Sequence, residues 1–309
     1  MNLKRAIRNS AGSILATALL AFGSAGRAKK TAFQKDVITS IALHNPRKDI
    51  FSKIVRWLLQ NGFTFISTAM LIDILNGQAP CPKGAVWISL DDGWKENLDN
   101  VIPVAVQYDI PITIFVYTAA IEEGAFWWKK LRQSADLLPA EYRDSFSIST
   151  QPESVRKEVI ELIARTGLKF EREAMTVEDI RNIATIPQVT LGAHTVTHPF
   201  LPQCPESQIE YEIAESGRKL EEWTGCKATA FAYPNGLLDG RERQYLERYG
   251  YQLAGTTECK FARAGTDVYL FPRNIVMDDG SFSENLCHAL GIWDPLIRRL
   301  KIYYHKPCL

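Results

Sequence analysis

The run Gly84-Ala85-Val86-Trp87-Ile88-Ser89-Leu90-Asp91-Asp92-Gly93-Trp94 decides how the chain is read. Its first half has the length and the Trp/Val/Ile bias of a buried strand, and two adjacent carboxylates stand where that strand should end. Neighbouring ionised carboxylates repel. A pair of them at the mouth of a cleft calls for positive charge beside them, most simply a divalent metal. Further along, Gly192-Ala193-His194-Thr195-Val196-Thr197-His198-Pro199 carries two histidines four apart. That spacing projects both imidazoles from one side of a helical turn or tight loop toward a single ion. Two imidazoles and one carboxylate form a three-ligand set with a position left for water, as a hydrolytic site requires. Zinc is the default ion, although nickel, cobalt and iron accept the same N and O donors.

Outward from this stretch the chain alternates strands and helices. Val37 to Leu43 has the β-branched content of a first strand and delivers His44 at its carboxyl end. Phe51, Ile54, Val55, Leu58 and Leu59 recur with helical spacing up to the stop at Asn61-Gly62. Phe63 to Ile66 reads as a short strand, and Ser67 or Thr68 caps a brief helix ending at Asn76-Gly77. After the acid pair, Glu96 to Tyr108 predicts one helix that Pro103 can kink, followed by the strand Ile112 to Val116. This strand-helix-strand unit implies a parallel pair.

The alternation resumes at Val189-Thr190-Leu191, which leads to the histidines. A long helix from Pro205-Glu206 to Gly225, a strand from Ala228 to Tyr233 and a helix from Asp239 to Gly250 follow. Short strands are expected near Gln252 to Gly255 and Leu270 to Arg273. One α/β fold, an irregular (β/α) barrel with seven or so parallel strands, fits this pattern better than two domains. Residues 122–187 break the rhythm and are expected as an insertion. Within it, Trp128 of the cluster Phe126-Trp127-Trp128-Lys129-Lys130 is read as packing the insertion onto the barrel rather than stacking on a sugar.

Charge is nearly balanced, with 36 Lys and Arg against 35 Asp and Glu, so the chain lacks the electrostatic footprint of a nucleic-acid binder. A neutral or zwitterionic partner such as a sugar is admissible. The cysteines (Cys81, Cys204, Cys226, Cys259, Cys287, Cys308) are scattered and read as isolated thiols. Lys4, Arg5 and Arg8 precede an apolar stretch from Ala11 to Ala21, and Gly23-Ser24-Ala25 offers a cleavage site, which is the layout of a secretory signal. Arg27, Lys29 and Lys30 count against export, because positive charge on both flanks suits a segment lying on the inner face of a membrane. Residues 1–30 are thus expected as a signal-like or membrane-associating segment ahead of a barrel spanning 31–309. Cytoplasmic or inner-membrane location is placed before export, and a surface helix docked on the barrel is the remaining reading.

Three boxes in order, Ser89-Leu90-Asp91-Asp92-Gly93, His194-Thr195-Val196-Thr197-His198-Pro199 and Phe231-Ala232-Tyr233-Pro234-Asn235-Gly236, resemble the polysaccharide deacetylase family of the carbohydrate-esterase type. The likeness is greatest to its bacterial glycan de-N-acetylase branch. It implies a metal-dependent hydrolase that removes N-acetyl groups from hexosamines of a bacterial polysaccharide or its precursor. By this resemblance Asp92 joins His194 and His198 on the metal, Asp91 is the general base, and the backbone amide at Tyr233 stabilises the oxyanion. For the general acid, Ile41-Ala42-Leu43-His44 resembles the branch's histidine after the first strand, and Leu286-Cys287-His288 has the shape of the wider family's last motif. His44 is preferred to His288, and a structural histidine is the alternative for each. The chain departs from the family where many members carry an Arg shortly before the Tyr or Pro of the third box. Arg273, in Phe271-Pro272-Arg273, is the candidate to orient Asp91 in its place. Rival readings are an O-acetyl glycan esterase and an inactive sugar-binding protein on the same scaffold.

Overall fold

The computed structural model describes residues 3–149 and 151–293. Its strands are β1 (Val37–Leu43), β2 (Thr64–Phe65), β3 (Ala85–Leu90), β4 (Ile112–Val116), β5 (Val189–Ala193), β6 (Ala230–Ala232), β7 (Leu253–Gly255), β8 (Ala262–Arg263) and β9 (Asn274–Ile275). They form one sheet with the main order β7-β6-β5-β4-β3-β1-β8, while β2 pairs with β3 and β9 with β1. Every ladder is parallel except β1 with β8. Phe271 bridges to Gly255 at the end of β7, and Asn274 pairs with Ile41 of β1. Residues 271–275 therefore link the two sides of the curled sheet, giving the irregular (β/α) barrel that the alternation implied.

Strand parity sorts the core. Ile38, Trp87, Phe115, Ala230, Ala232, Leu253 and Phe271 form one cluster inside the sheet, whereas Ile41, Leu43, Val86, Ile88, Leu90, Ile112, Ile114 and Val116 pack outward against helices. This is the period of two expected when both faces of a parallel sheet are covered. Trp87 plugs the interior, edge-on to Phe115 and Phe271, and its indole N–H reaches the hydroxyls of Thr68 and Thr113 at 3.2 Å.

Several boundaries differ from expectation. The helix foreseen from Glu96 to Tyr108 is two short helices, Asn97–Asn100 and Ile102–Tyr108, with Pro103 in the first turn of the second, where its missing N–H costs nothing. The helix expected from Asp239 begins at Glu242, whose carboxylate accepts from the N–H groups of Asp239 and Gly240. The strand foreseen near Leu270 to Arg273 is the single bridge at Phe271 followed by β9. The insertion is helical, with segments at Trp127–Ser134, Glu153–Arg165 and Val177–Ala184, the last opened by the capping box of Thr176 and Asp179.

The N-terminal helix Leu3–Ala21 packs on the helix Phe282–Ala289. Ala16 is buried there with Cys287 and Trp293, flanked by Leu19, Leu20 and Ile292. This is the docked-helix arrangement. No helix among the described residues is long and apolar enough to cross a membrane. Cys81, Cys204, Cys226 and Cys287 are free thiols, and Cys308 lies outside the described residues.

Candidate active site

Asp91 continues the inward face of β3, in step with Trp87 and Ser89, and its N–H extends the ladder by donating to the carbonyl of Leu43 at 2.8 Å. That parity aims its carboxylate into the barrel, where Arg273 waits with no solvent exposure. The guanidinium grips Asp91 through both oxygens, at 2.7 Å to Oδ1 and 2.9 Å to Oδ2. It also donates to Ser89 Oγ at 3.1 Å and to the Thr256 carbonyl at 3.0 Å. This is the fork geometry in which Arg excels. Arg273 thus meets Asp91, the residue it was expected to orient, from a different strand end.

Asp92 leaves the strand. Its φ of 77°, in the left-handed region, turns the side chain away from that of its neighbour and toward the histidines. The Trp94 indole donates to Oδ2 at 3.0 Å, while Oδ1 is buried with no hydrogen-bond partner. That oxygen lies 3.5 Å from His194 Nε2 and 3.7 Å from His198 Nε2. The ligand atoms of Asp92, His194 and His198 all fall within 4.8 Å of one another.

The two rings reach this point by different routes. β5 delivers His194 directly, its N–H pairing with the Val116 carbonyl at 3.0 Å. Its Nδ1 lies 2.7 Å from the Ala232 carbonyl, which only accepts, so Nδ1 carries the proton and Nε2 presents its lone pair. His198 arrives on a tight loop rather than a helical turn, with Thr195 at φ 65° and His198 at φ 53°, closed by the His198 N–H on Thr195 Oγ1 at 3.0 Å. An orphaned carboxylate oxygen facing two imidazole nitrogens is a donor set that fits a divalent cation.

The electrostatics separate the two acids. Burial alone would raise the Asp91 pKa, but Arg273, aided by His194 and His44, outweighs it and holds the carboxyl below its ordinary value. Asp92 is pushed up, first by burial and then by the charge of Asp91, against the pull of His44, His194 and Trp94. A cation beside Asp92 reverses that sign. Burial, together with His194 and Arg156, drives His198 well below the usual imidazole value, leaving it in the neutral form a metal ligand needs.

The structure brings His44 to this group and leaves His288 elsewhere. His44 follows the inward register of β1. Burial opposes its charge, yet Asp92, Asp91 and Asp278 together raise its pKa. His288 sits on the helix Phe282–Ala289 with its ring 5.6 Å from that of Trp293, and burial lowers its pKa to about 4. Tyr233 requires a correction. Its backbone N–H, the expected oxyanion donor, already donates to the Gly255 carbonyl at 3.1 Å in the β6–β7 pairing, and its hydroxyl donates to the Tyr269 carbonyl at 2.9 Å. Two residues on, Asn235 adopts a left-handed φ of 56° and has a buried Nδ2 without a partner.

Trp128 stacks on Phe126 at 5.2 Å, and its half-buried ring also lies 4.7 Å from that of His198. Sequence reasoning missed Trp94, Glu212, Arg156 and Asp278. Trp94 stood inside the acid box. Glu212 adjoins Ile213 and follows Ile209 on the apolar stripe of its helix, and a charge on a buried stripe is the signal that marks it.

Comparison with known proteins agrees with this geometry. The family model described as polysaccharide deacetylase matches residues 78–254, which contain the acid pair, both histidines and the third box. The poly-beta-1,6-N-acetyl-D-glucosamine N-deacetylase of Staphylococcus aureus (strain NCTC 8325 / PS 47) is 22% identical over 244 residues, covering 79% of this chain and 70% of that protein. Among solved structures, the Streptococcus pyogenes deacetylase PplD in complex with acetate superposes with a TM-score of 0.62 at 18% identity, over 83% of this chain and 99% of that one. IcaB from Ammonifex degensii gives 0.59 at 21% identity, over 83% and 98%. At these identities the two structures speak for the fold. The family match spans more than half of the sequence, and so the chain belongs to the polysaccharide deacetylase family of hydrolases, which act on carbon–nitrogen bonds other than peptide bonds.

Proposed function

We propose that this protein is a metal-dependent de-N-acetylase of hexosamine residues in a bacterial polysaccharide or its precursor. The observation that carries this reading is the convergence of Asp92, His194 and His198 beside a second carboxylate, Asp91, clamped by Arg273. The named activity of the Staphylococcus aureus relative, on poly-N-acetylglucosamine, supports the substrate class.

Asp92, His194 and His198 are the residues that would hold the cation, with zinc the first ion to test. Bound there, it supplies Lewis acidity toward the acyl oxygen and acidifies a water. The chain's own residues then move protons. Asp91, held anionic by Arg273, accepts the proton of the water that attacks the acyl carbon. His44, whose pKa its carboxylate neighbours raise, gives a proton to the departing nitrogen as the C–N bond breaks. Acetate and a free amine result. Asn235 Nδ2 is a candidate to bind the developing oxyanion in place of the engaged Tyr233 amide.

The test is metal analysis followed by acetate release from an N-acetylglucosamine oligomer, before and after chelation. Acetate that stops on chelation and returns with zinc is expected. Release only from an O-acetylated glycan would make the protein an esterase, and neither metal nor acetate would make it a binding protein.

A further inference from the structure

The loop that carries His198 is held from outside by charges that never touch the metal ligands. Glu212 Oε2 accepts the N–H groups of Val196 and Thr197, each at 2.8 Å, and Oε1 accepts the Thr197 hydroxyl at 2.5 Å. From the other side Arg156 donates to the Thr197 carbonyl and to Thr197 Oγ1, each at 2.9 Å. Arg156 is itself ion-paired with Glu153 one turn earlier, and its guanidinium faces the Trp127 ring at 5.5 Å. Glu153, Arg156 and Glu212 are 3%, 2% and 1% exposed. The clamp joins three segments: Glu212 comes from the helix Glu206–Thr224, Arg156 from the insertion helix Glu153–Arg165, and Thr197 from the loop between the two histidines.

Burying three ionised groups is an inefficient way to gain stability, since a well-packed apolar set of similar volume serves as well or better. What an apolar set cannot do is fix the direction of two amides, a carbonyl and a hydroxyl in one turn. The turn needs that control, because Thr195 and His198 both hold left-handed backbone without being glycine. We propose that Glu212 and Arg156 are positioning residues that preset His198 for its ion, so that the insertion helix bearing Arg156 and the helix bearing Glu212 together set the metal affinity of the barrel. Partners of this outer kind alter metal affinity without coordinating the ion. The inference rests on the reading of Asp92, His194 and His198 as a metal site.

The experiment is a zinc titration of the full chain against a competing chelator, for wild type, Glu212→Gln, Arg156→Met and Arg156→Lys, with thermal unfolding of each metal-free protein alongside. Glu212→Gln keeps the shape and one acceptor but loses the charge. Both Glu212→Gln and Arg156→Met should weaken zinc binding by about 10–100-fold, and Arg156→Lys should recover part of the loss. A purely structural role would lower the metal-free unfolding temperature and leave the affinity of the folded protein unchanged, which would overturn the inference. Should Glu212→Gln not fold, Thr197→Val removes the hydroxyl that both charges grip and is read in the same way. If wild type binds no zinc, the metal-site reading falls. If wild type binds and the variants bind equally well, only the clamp falls.

Discussion

Arg273 and Asp91 form the contact on which the proposed chemistry turns. Asp91 is buried, and burial by itself favours the protonated acid; the guanidinium reverses this. As the base of the proposed reaction Asp91 works only when ionised, so activity should be lost as pH falls through its pKa. In Arg273→Met burial is opposed only by the weaker pull of His194 and His44, the pKa rises, and the acid limb of the kcat/KM profile should move to higher pH while metal content stays at the wild-type level. An unmoved acid limb would remove Arg273 from this role. The two acids should also separate by readout. Asp91→Asn should keep the metal and lose about 10²–10⁴-fold in turnover, whereas Asp92→Asn should lose the metal, as measured by elemental analysis. The histidines divide in the same way. His44→Ala should cost about 10²–10⁴-fold in kcat, and His288→Ala, beside Trp293, should leave kcat unchanged.

At the scale of the element, His44, Asp91 and His194 each stand one residue past the carboxyl end of a strand, β1, β3 and β5. β5 illustrates how little slack there is. A Cβ on Gly192 would fall 2.5 Å from the Phe115 ring and 2.9 Å from the Ala230 carbonyl, and backbone cannot retreat as a side-chain tip can. Gly192→Ala should therefore destabilise the fold by about 1–3 kcal/mol, read as a lower denaturant midpoint with an unchanged slope. Strands of this kind were legible in the sequence because β1, β3 and β4 are buried along their whole length and read as largely apolar, β-branched runs broken only by Ser and Thr. The acids and histidines were legible because like charges and paired imidazoles have few purely structural uses. What stayed hidden is held by long-range pairing. β8 and β9 are two residues each, too short for any periodicity, and the closure through Phe271 depends on a partner in β7. The Tyr233 amide failed for the same reason, since nothing local says that Gly255 claims it. Glu96 to Tyr108 carried the signal of one helix, but the chain bends at Val101 and restarts with Pro103 in its opening turn.

Across the whole molecule, the candidate metal site and the N-terminal helix belong to separate packing units. Ala16 has no exposure and meets Cys287 and Trp293, while the proposed ligands Asp92, His194 and His198 follow β3 and β5. Ala16→Arg forces a long, charged side chain into that fully buried apolar contact and should free the helix. The expected result is a lower thermal midpoint and faster proteolytic cleavage near residues 3–32. Zinc stabilises a folded protein by mass action, by about 4.1 kcal/mol at a thousandfold excess over Kd. Perturbations at distant, unshared sites add independently. The zinc-induced rise in unfolding midpoint should thus be the same in Ala16→Arg as in wild type, and chelation should abolish it in both. A smaller rise in the variant would mean that the docked helix helps to shape the metal site, most directly through Asn285, which accepts the Met277 N–H and so holds the segment bearing Asp278 opposite His44.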